Sequence, residues 1–194
     1  MQKLTRDELY TLEKYAEIRN DFRAEVMGHK KNRQLAIGPD ATLYFEDRLI
    51  MQYQVQEMLK AEKIFEAAGI EEELAAYNPM IPDGSNWKAT FMIEIADEAE
   101  RRIALTKMLG IEDKVWVQVE GFDRVTPIAD EDLERETETK TSSVHFLRFE
   151  LSDEMIAALK SGSALSAGID HPAYTHTVNP VPQNIKDSLV SDLD

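Results

Sequence analysis

Val144-His145-Phe146-Leu147-Arg148-Phe149-Glu150-Leu151 alternates with the two-residue period of a β-strand. One face carries His145, Leu147, Phe149 and Leu151, and the other carries Val144, Phe146, Arg148 and Glu150. The first face is apolar apart from one histidine. The second is aromatic or apolar at one end and charged at the other. Residues 89–95 repeat the pattern, with Ala89, Phe91, Ile93 and Ile95 opposed to Thr90, Met92 and Glu94. So do residues 115–120, where Val115, Val117 and Val119 oppose Trp116, Gln118 and Glu120. Two arrangements satisfy this pattern. In one, the mixed face is a solvated outer surface holding Glu/Arg ion pairs. In the other, helices cover it, and Glu94, Gln118, Glu120, Arg148 and Glu150 line a pocket walled by Met92, Trp116 and Phe146. An arginine in such a pocket would hold a carboxylate or phosphate bidentately.

Helical signals dominate the sequence before these strands. Thr5 followed by Glu8 is a capping box, and Leu9, Leu12, Ala16, Phe22 and Val26 recur near the helical period up to Gly28. Residues 34–37 and 42–45 flank Gly38-Pro39-Asp40-Ala41 as a short hairpin. A long helix is predicted over residues 46–68, stopped by Gly69, and a short acidic helix over residues 71–77. Residues 78–87 contain two prolines and a Pro-Asp-Gly turn, yet Met80, Ile81 and Trp87 favour burial, so they read as an ordered loop.

After residue 88, strands alternate with short helices. Asp97 and Ser152 are expected as helix caps, and residues 114–120, 124–128, 164–170 and 173–178 as further strands. Residues 130–136 are acidic and read as a solvated helix, because they lack the central glycine of a calcium loop. The expected fold class is α+β, with long N-terminal helices packed on a mixed, mostly antiparallel sheet joined by short helices. The expected organisation is one domain over residues 1–178. It comprises a helical part with the hairpin (1–77), an ordered loop (78–88) and a sheet part (89–178), followed by a C-terminal tail (179–194).

Composition narrows the function classes. Among 194 residues, 22 Lys and Arg face 37 Asp and Glu, for a net charge of −15, which argues against nucleic-acid or anionic-membrane binding. No apolar run approaches the length of a membrane span, and residues 1–7 lack a signal-peptide core, so cytoplasm is the expected location. The chain has no cysteine, which excludes disulfides, thiolate catalysis and thiolate-bound metals.

Any transition metal would therefore need histidine and carboxylate ligands. The four histidines are His29, His145, His171 and His176, and none forms a helical Glu-x-x-His pair, so a ferritin-like di-iron site is rejected. His145 on an apolar strand face suits a hydrogen-bonded core residue as well as a ligand. His29 at a helix end also complements the helix dipole. Glu46 and Glu57 share a helix face but lie eleven residues, about 16 Å, apart and cannot bind one ion together. There is no nucleophile elbow and no glycine-rich phosphate loop.

Several segments together resemble the bacterial Domain of Unknown Function 3501 family over nearly the whole chain. They are His29-Lys30-Lys31-Asn32-Arg33, Phe45-Glu46-Asp47-Arg48, the helix Gln52-Tyr53-Gln54-Val55-Gln56-Glu57-Met58-Leu59, Tyr77-Asn78-Pro79 with Ile81-Pro82-Asp83-Gly84, and residues 144–151. The resemblance implies a family rather than an activity, and it assigns no residue roles. It also implies a setting, since members are encoded beside a rubrerythrin-like protein and an iron–sulfur oxidoreductase. Oxidative stress or iron redox chemistry is the expected context.

Two readings stay open at this point. In the first, a cytoplasmic protein of a redox pathway binds a metal (non-haem iron or another divalent ion) or a small molecule. The ligand candidates are His29, Glu46, Glu57, His145 and His171, with Arg48, Gln52 and Arg148 orienting a substrate. In the second, the chain is a non-catalytic accessory module that docks a rubrerythrin-like protein or iron–sulfur oxidoreductase through its acidic surface and residues 78–87. A homodimer formed through the long helices is compatible with both.

Overall fold

A computed structural model describes residues 2–194. Among them the fold is α+β, with six α-helices and eight strands in two antiparallel sheets. The capping box forms, since the Glu8 carboxylate accepts the Thr5 N–H and hydroxyl, each at 2.9 Å. It closes only a 3-10 turn, Arg6–Glu8, because Leu9 turns extended. Helix α1 (Leu12–Lys30) starts afresh at Thr11, whose hydroxyl accepts the Lys14 N–H. It runs through Gly28, so its basic last turn includes His29 and Lys30.

The hairpin pairs β1 (Gln34–Ala36) with β2 (Ala41–Glu46), with Leu35 opposite Leu43. Gly38 in its turn has φ +77°, and a side chain there would collide with Tyr174 Oη and the His176 ring, both 2.6 Å from an added Cβ. Asp47 then caps α2 (Arg48–Glu62) by accepting the Ile50 N–H at 2.9 Å. The expected helix over residues 46–68 is two helices. Lys63 takes the left-handed conformation at φ 56° and ends α2, and Gly69 falls inside α3 (Ala67–Tyr77). A terminating left-handed residue is usually glycine, so Lys63 carried no sequence signal.

Strand β3 (Asn86–Ile93) is followed by α4 (Glu98–Lys107), capped by Asp97 as expected, and by β4 (Val115–Val119). The short β5 (Ile128–Ala129) leads through an irregular segment into β6 (Val144–Glu150). The expected acidic helix at 130–136 is absent; residues 131–133 form bends and the rest are irregular. Helix α5 (Asp153–Lys160), capped by Ser152, precedes β7 (Leu165–His171), β8 (Tyr174–Val178) and α6 (Gln183–Val190).

The strands form two sheets rather than the one expected, with orders β1-β2-β3-β6-β5 and β4-β7-β8. Their apolar faces meet in one cluster, with Phe45, Trp87, Phe91 and Phe149 from the larger sheet and Val117, Val119, Leu165 and Ile169 from the smaller. A second sheet face cannot be read from strand alternation alone, because each strand looks the same whichever sheet it joins. Trp116 shows the consequence. The covered arrangement puts it in one pocket with Arg148, Gln118 and Glu120, but Trp116 and Gln118 lie on the smaller sheet and Glu120 in the turn that follows β4. The Trp116 ring lies against Gly168, which leaves no room for a Cβ, with the Arg124 guanidinium 3.8 Å from its centroid.

Residues 179–194 were expected as a tail outside the domain. Instead Val181, Ile185, Leu189 and Leu193 belong to the main core, and Leu189 O accepts the Trp87 Nε1–H at 2.9 Å. Arg33, 2% exposed, ties this segment to the hairpin. Its guanidinium pairs with Asp192 and donates to the backbone carbonyls of Phe45 (3.1 Å) and Glu46 (3.0 Å). Burial raises the Asp192 carboxyl, against the pull of the guanidinium.

Candidate ligand-binding cleft

Helices α2 and α3 cover the mixed face of the larger sheet around Phe146 and Arg148, while Glu94 and Glu150 of the expected pocket stay exposed. Strand register sets its floor in rows. Glu46, Lys88 and Arg148 lie directly opposite one another on β2, β3 and β6, and Tyr44, Thr90 and Phe146 form the next row. Above them stand Ile50, Met51 and Gln54 of α2 and Ala75, Ala76 and Tyr77 of α3. Pro79 and Met80 of the 3-10 turn Asn78–Met80 extend this wall. Between floor and helices is a cleft of about 830 Å³. A smaller cavity of about 250 Å³ adjoins it and shares Lys30, Glu46, Ile50 and Thr90.

The charged floor has uneven partnering. Glu46 accepts one hydrogen bond, from the Thr90 hydroxyl at 2.6 Å, and burial raises its carboxyl above the ordinary range. Lys88 donates to Pro79 O at 2.5 Å, and burial, with a smaller push from Arg148, lowers its ammonium against the pull of Asp83. Two cations directly opposite on adjacent strands repel, so this floor is arranged at some cost to the sheet.

The fourth wall is Glu131 and Asp132, at the start of the irregular segment 130–143. Asp130 starts it at φ 50°, a conformation that aspartate tolerates better than most residues. Its backbone N–H donates to Phe146 O at 2.8 Å, and its Oδ1 accepts the Phe146 N–H at 2.9 Å. Glu131 then meets Arg148 side-on, with Nε at 2.8 Å and Nη2 at 2.7 Å. Arg135 clamps the segment back onto Asp130 and Asp132, with its guanidinium 4.4 Å from the Phe146 ring centroid.

Beneath this wall, on the core side, Asp130 also reaches His145. His145 Nδ1 lies 2.6 Å from Asp130 Oδ2, and Nε2 lies 2.9 Å from Thr141 Oγ1 and 3.7 Å from Glu112 Oε2. Glu112, Asp130 and His145 are the one set among the described residues whose ligand atoms approach one another within 4.8 Å, close enough to share a metal ion. Burial raises the Glu112 carboxyl, opposed by His145.

The structure does not bring the five proposed metal ligands together. His29 Nε2 pairs with Asp47 at 2.5 Å. Glu46 faces the cleft. Glu57 accepts from Arg19 at 2.7 and 2.6 Å and from Tyr15 at 2.6 Å, and the guanidinium holds its carboxyl down to about 2. His171 Nε2 lies 3.0 Å from Leu109 O, and Nδ1 accepts the Ala173 N–H. Only His145 has carboxylates placed for a shared ion, and they are Glu112 and Asp130, which sequence reasoning did not choose. Of the three proposed orienting residues, Arg148 lines the cleft. Arg48 pairs with Glu8, and Gln52 donates to Glu8 O at 3.1 Å, so both fasten the N-terminal turn instead. Missed residues of the cleft include Lys88, Thr90 and Glu131. Lys88 was legible from strand period, since it precedes Ala89 on the same strand, whereas Glu131 depended on the backbone reversal at Asp130.

These elements define a two-sheet α+β protein with a helix-roofed cleft on its larger sheet. The chain belongs to the family described as protein of unknown function (DUF3501), whose model matches residues 3–193. The crystal structure of a novel protein of unknown function from Burkholderia pseudomallei K96243 is similar to it at 51% identity over 100% of both chains, with a TM-score of 0.93. No curated protein matches the chain. No helix among the described residues is long and apolar enough to cross a membrane.

Proposed function

We propose that the protein binds a small organic molecule in the cleft between the larger sheet and helices α2 and α3. The observation that carries this reading is the cleft itself, about 830 Å³ and walled mainly by apolar side chains around a few convergent charged groups. Sites of that size and character hold cofactors and metabolites. Glu46 supplies a hydrogen-bonding anchor at the inner end, and its raised carboxyl can take up or release a proton closer to neutrality than an ordinary glutamate. The redox setting implied by the family resemblance bears on which molecule is bound, not on whether the cleft binds one.

Ala76 is exposed at the cleft wall, so Ala76→Trp fills the space without disturbing the core. Purified protein incubated with a cell extract and then denatured should release a small molecule, identified by mass spectrometry, and the Ala76→Trp protein should release little or none. Equal release from both would count against the cleft.

The cluster at His145 favours a second reading, a divalent metal held by one imidazole nitrogen and two carboxylates, a donor set suited to iron, manganese or zinc. Under this reading, protein purified without chelator should carry near-stoichiometric metal that Glu112→Gln removes and Glu57→Gln does not. Folded protein without metal would leave the cluster as a hydrogen-bonded brace. The accessory-module alternative would use the exposed Pro79 and Asp83 of its loop, since Ile81 and Trp87 are fully buried.

A further inference from the structure

Arg148 is held by two carboxylates of different origin. Glu150 is its near neighbour on β6 and also accepts a 3.0 Å hydrogen bond from Asn86 Nδ2, so it is fixed by the sheet. Glu131 comes from the irregular segment 130–143, is about half exposed, and meets the guanidinium side-on through Nε and Nη2. That two-bond geometry is how arginine takes a free carboxylate. The place Glu131 occupies also lies beside a second cation of the floor, in a row that Glu46 ends on the far side of Lys88. Lys88 lies directly opposite Arg148 in the strand register, and its ammonium acts on Glu131 as well. Lys3 adds a third cation near Lys88, and Asp83 offsets it from outside the cleft. Two cations thus stand side by side on the cleft floor, and the protein's own Glu131 meets them from the exposed side.

Resting on the cleft reading above, we propose that the ligand is a carboxylate with an aliphatic body, and that its carboxylate replaces Glu131 on Arg148 beside Lys88. The aliphatic part then lies along Ile50, Met51, Met80 and Phe146. The exchange is inexpensive for the protein, because a half-exposed ion pair contributes little to stability. Glu131 is thus an internal competitor. It keeps the two cations neutralised when the cleft is empty and sets a threshold that a ligand must exceed. Displacement also releases the contact that follows the Asp130–Phe146 anchor, so ligand binding and the position of Glu131 and Asp132 are linked.

Isothermal titration of the full chain with decanoate, and with its uncharged amide decanamide, tests this. Decanoate should bind the native protein, and Glu131→Gln, on an exposed segment where folding is not at stake, should bind it about three- to tenfold more tightly. Arg148→Met should weaken decanoate about tenfold to a hundredfold and leave decanamide unchanged, which a merely misfolded variant would not do. Equal affinity for decanoate and decanamide, unaltered by Glu131→Gln, would overturn the carboxylate proposal and leave the cleft reading standing. Failure of decanoate to bind both the native and the Glu131→Gln protein would overturn the proposal too, whereas the extract experiment judges the cleft reading separately.

Discussion

Asp192→Ala is expected to destabilise the protein by about 3–5 kcal/mol. The reason is the state in which it leaves Arg33. That guanidinium is 2% exposed and cannot lose its proton, so removing Asp192 strands a buried charge, with Asp47 Oδ2 at 3.3 Å as its remaining carboxylate. The loss also reaches the site. Arg33 donates to Phe45 O and Glu46 O, which fix the end of β2 where Glu46 enters the cleft. Urea unfolding should show a lower midpoint with an unchanged slope. The double variant Arg33→Met/Asp192→Leu should recover only part of the loss, because it removes the stranded charge but also takes the donor from Asp47, Phe45 O and Glu46 O. A single variant as stable as the native protein would mean that the C-terminal segment is not anchored through this pair.

Asp130→Ala carries the second large effect, about 2–4 kcal/mol. One side chain does three things here. It bonds His145 at 2.6 Å, accepts the Phe146 N–H at 2.9 Å and contacts Arg135 at 3.1 Å. Alanine removes all three and also tolerates the local φ of 50° poorly. Asparagine keeps the backbone preference and the Phe146 bond, so Asp130→Asn should fall between alanine and the native protein. Denaturant midpoints of the three proteins check the order. If alanine and asparagine were equivalent, the backbone reversal at Asp130 would not depend on its side chain.

The period of residues 144–151 was enough to place an apolar core against one face of β6 and a mixed face on the other. It put Arg148 beside Phe146 but left open whether helices or solvent cover them. Local signals such as Asp97, Ser152 and the Gly38 turn were equally legible, because caps and turns are decided by neighbouring residues. What stayed hidden depends on long-range partners. His145 looked like a lone core histidine until the chain brought Asp130 and Glu112 to its two nitrogens. The acidic run at 130–136 looked like a solvated helix because its partners, Arg148 and His145, lie on a strand that starts only after the run. The C-terminal segment read as a tail since Asp192 and Arg33 are 159 positions apart. Helix α2 ended at Lys63 without glycine, which no propensity rule anticipates.

Hydrogen–deuterium exchange of the full chain, with and without the small-molecule fraction of a cell extract, locates the ligand on the fold. Exchange should slow in Lys88–Thr90, in residues 146–148 and along residues 75–80, with no change in β7 or β8, and that protection should be lost in Ala76→Trp. Protection confined to the smaller sheet, or none anywhere in the native protein, would contradict a ligand site under α2 and α3.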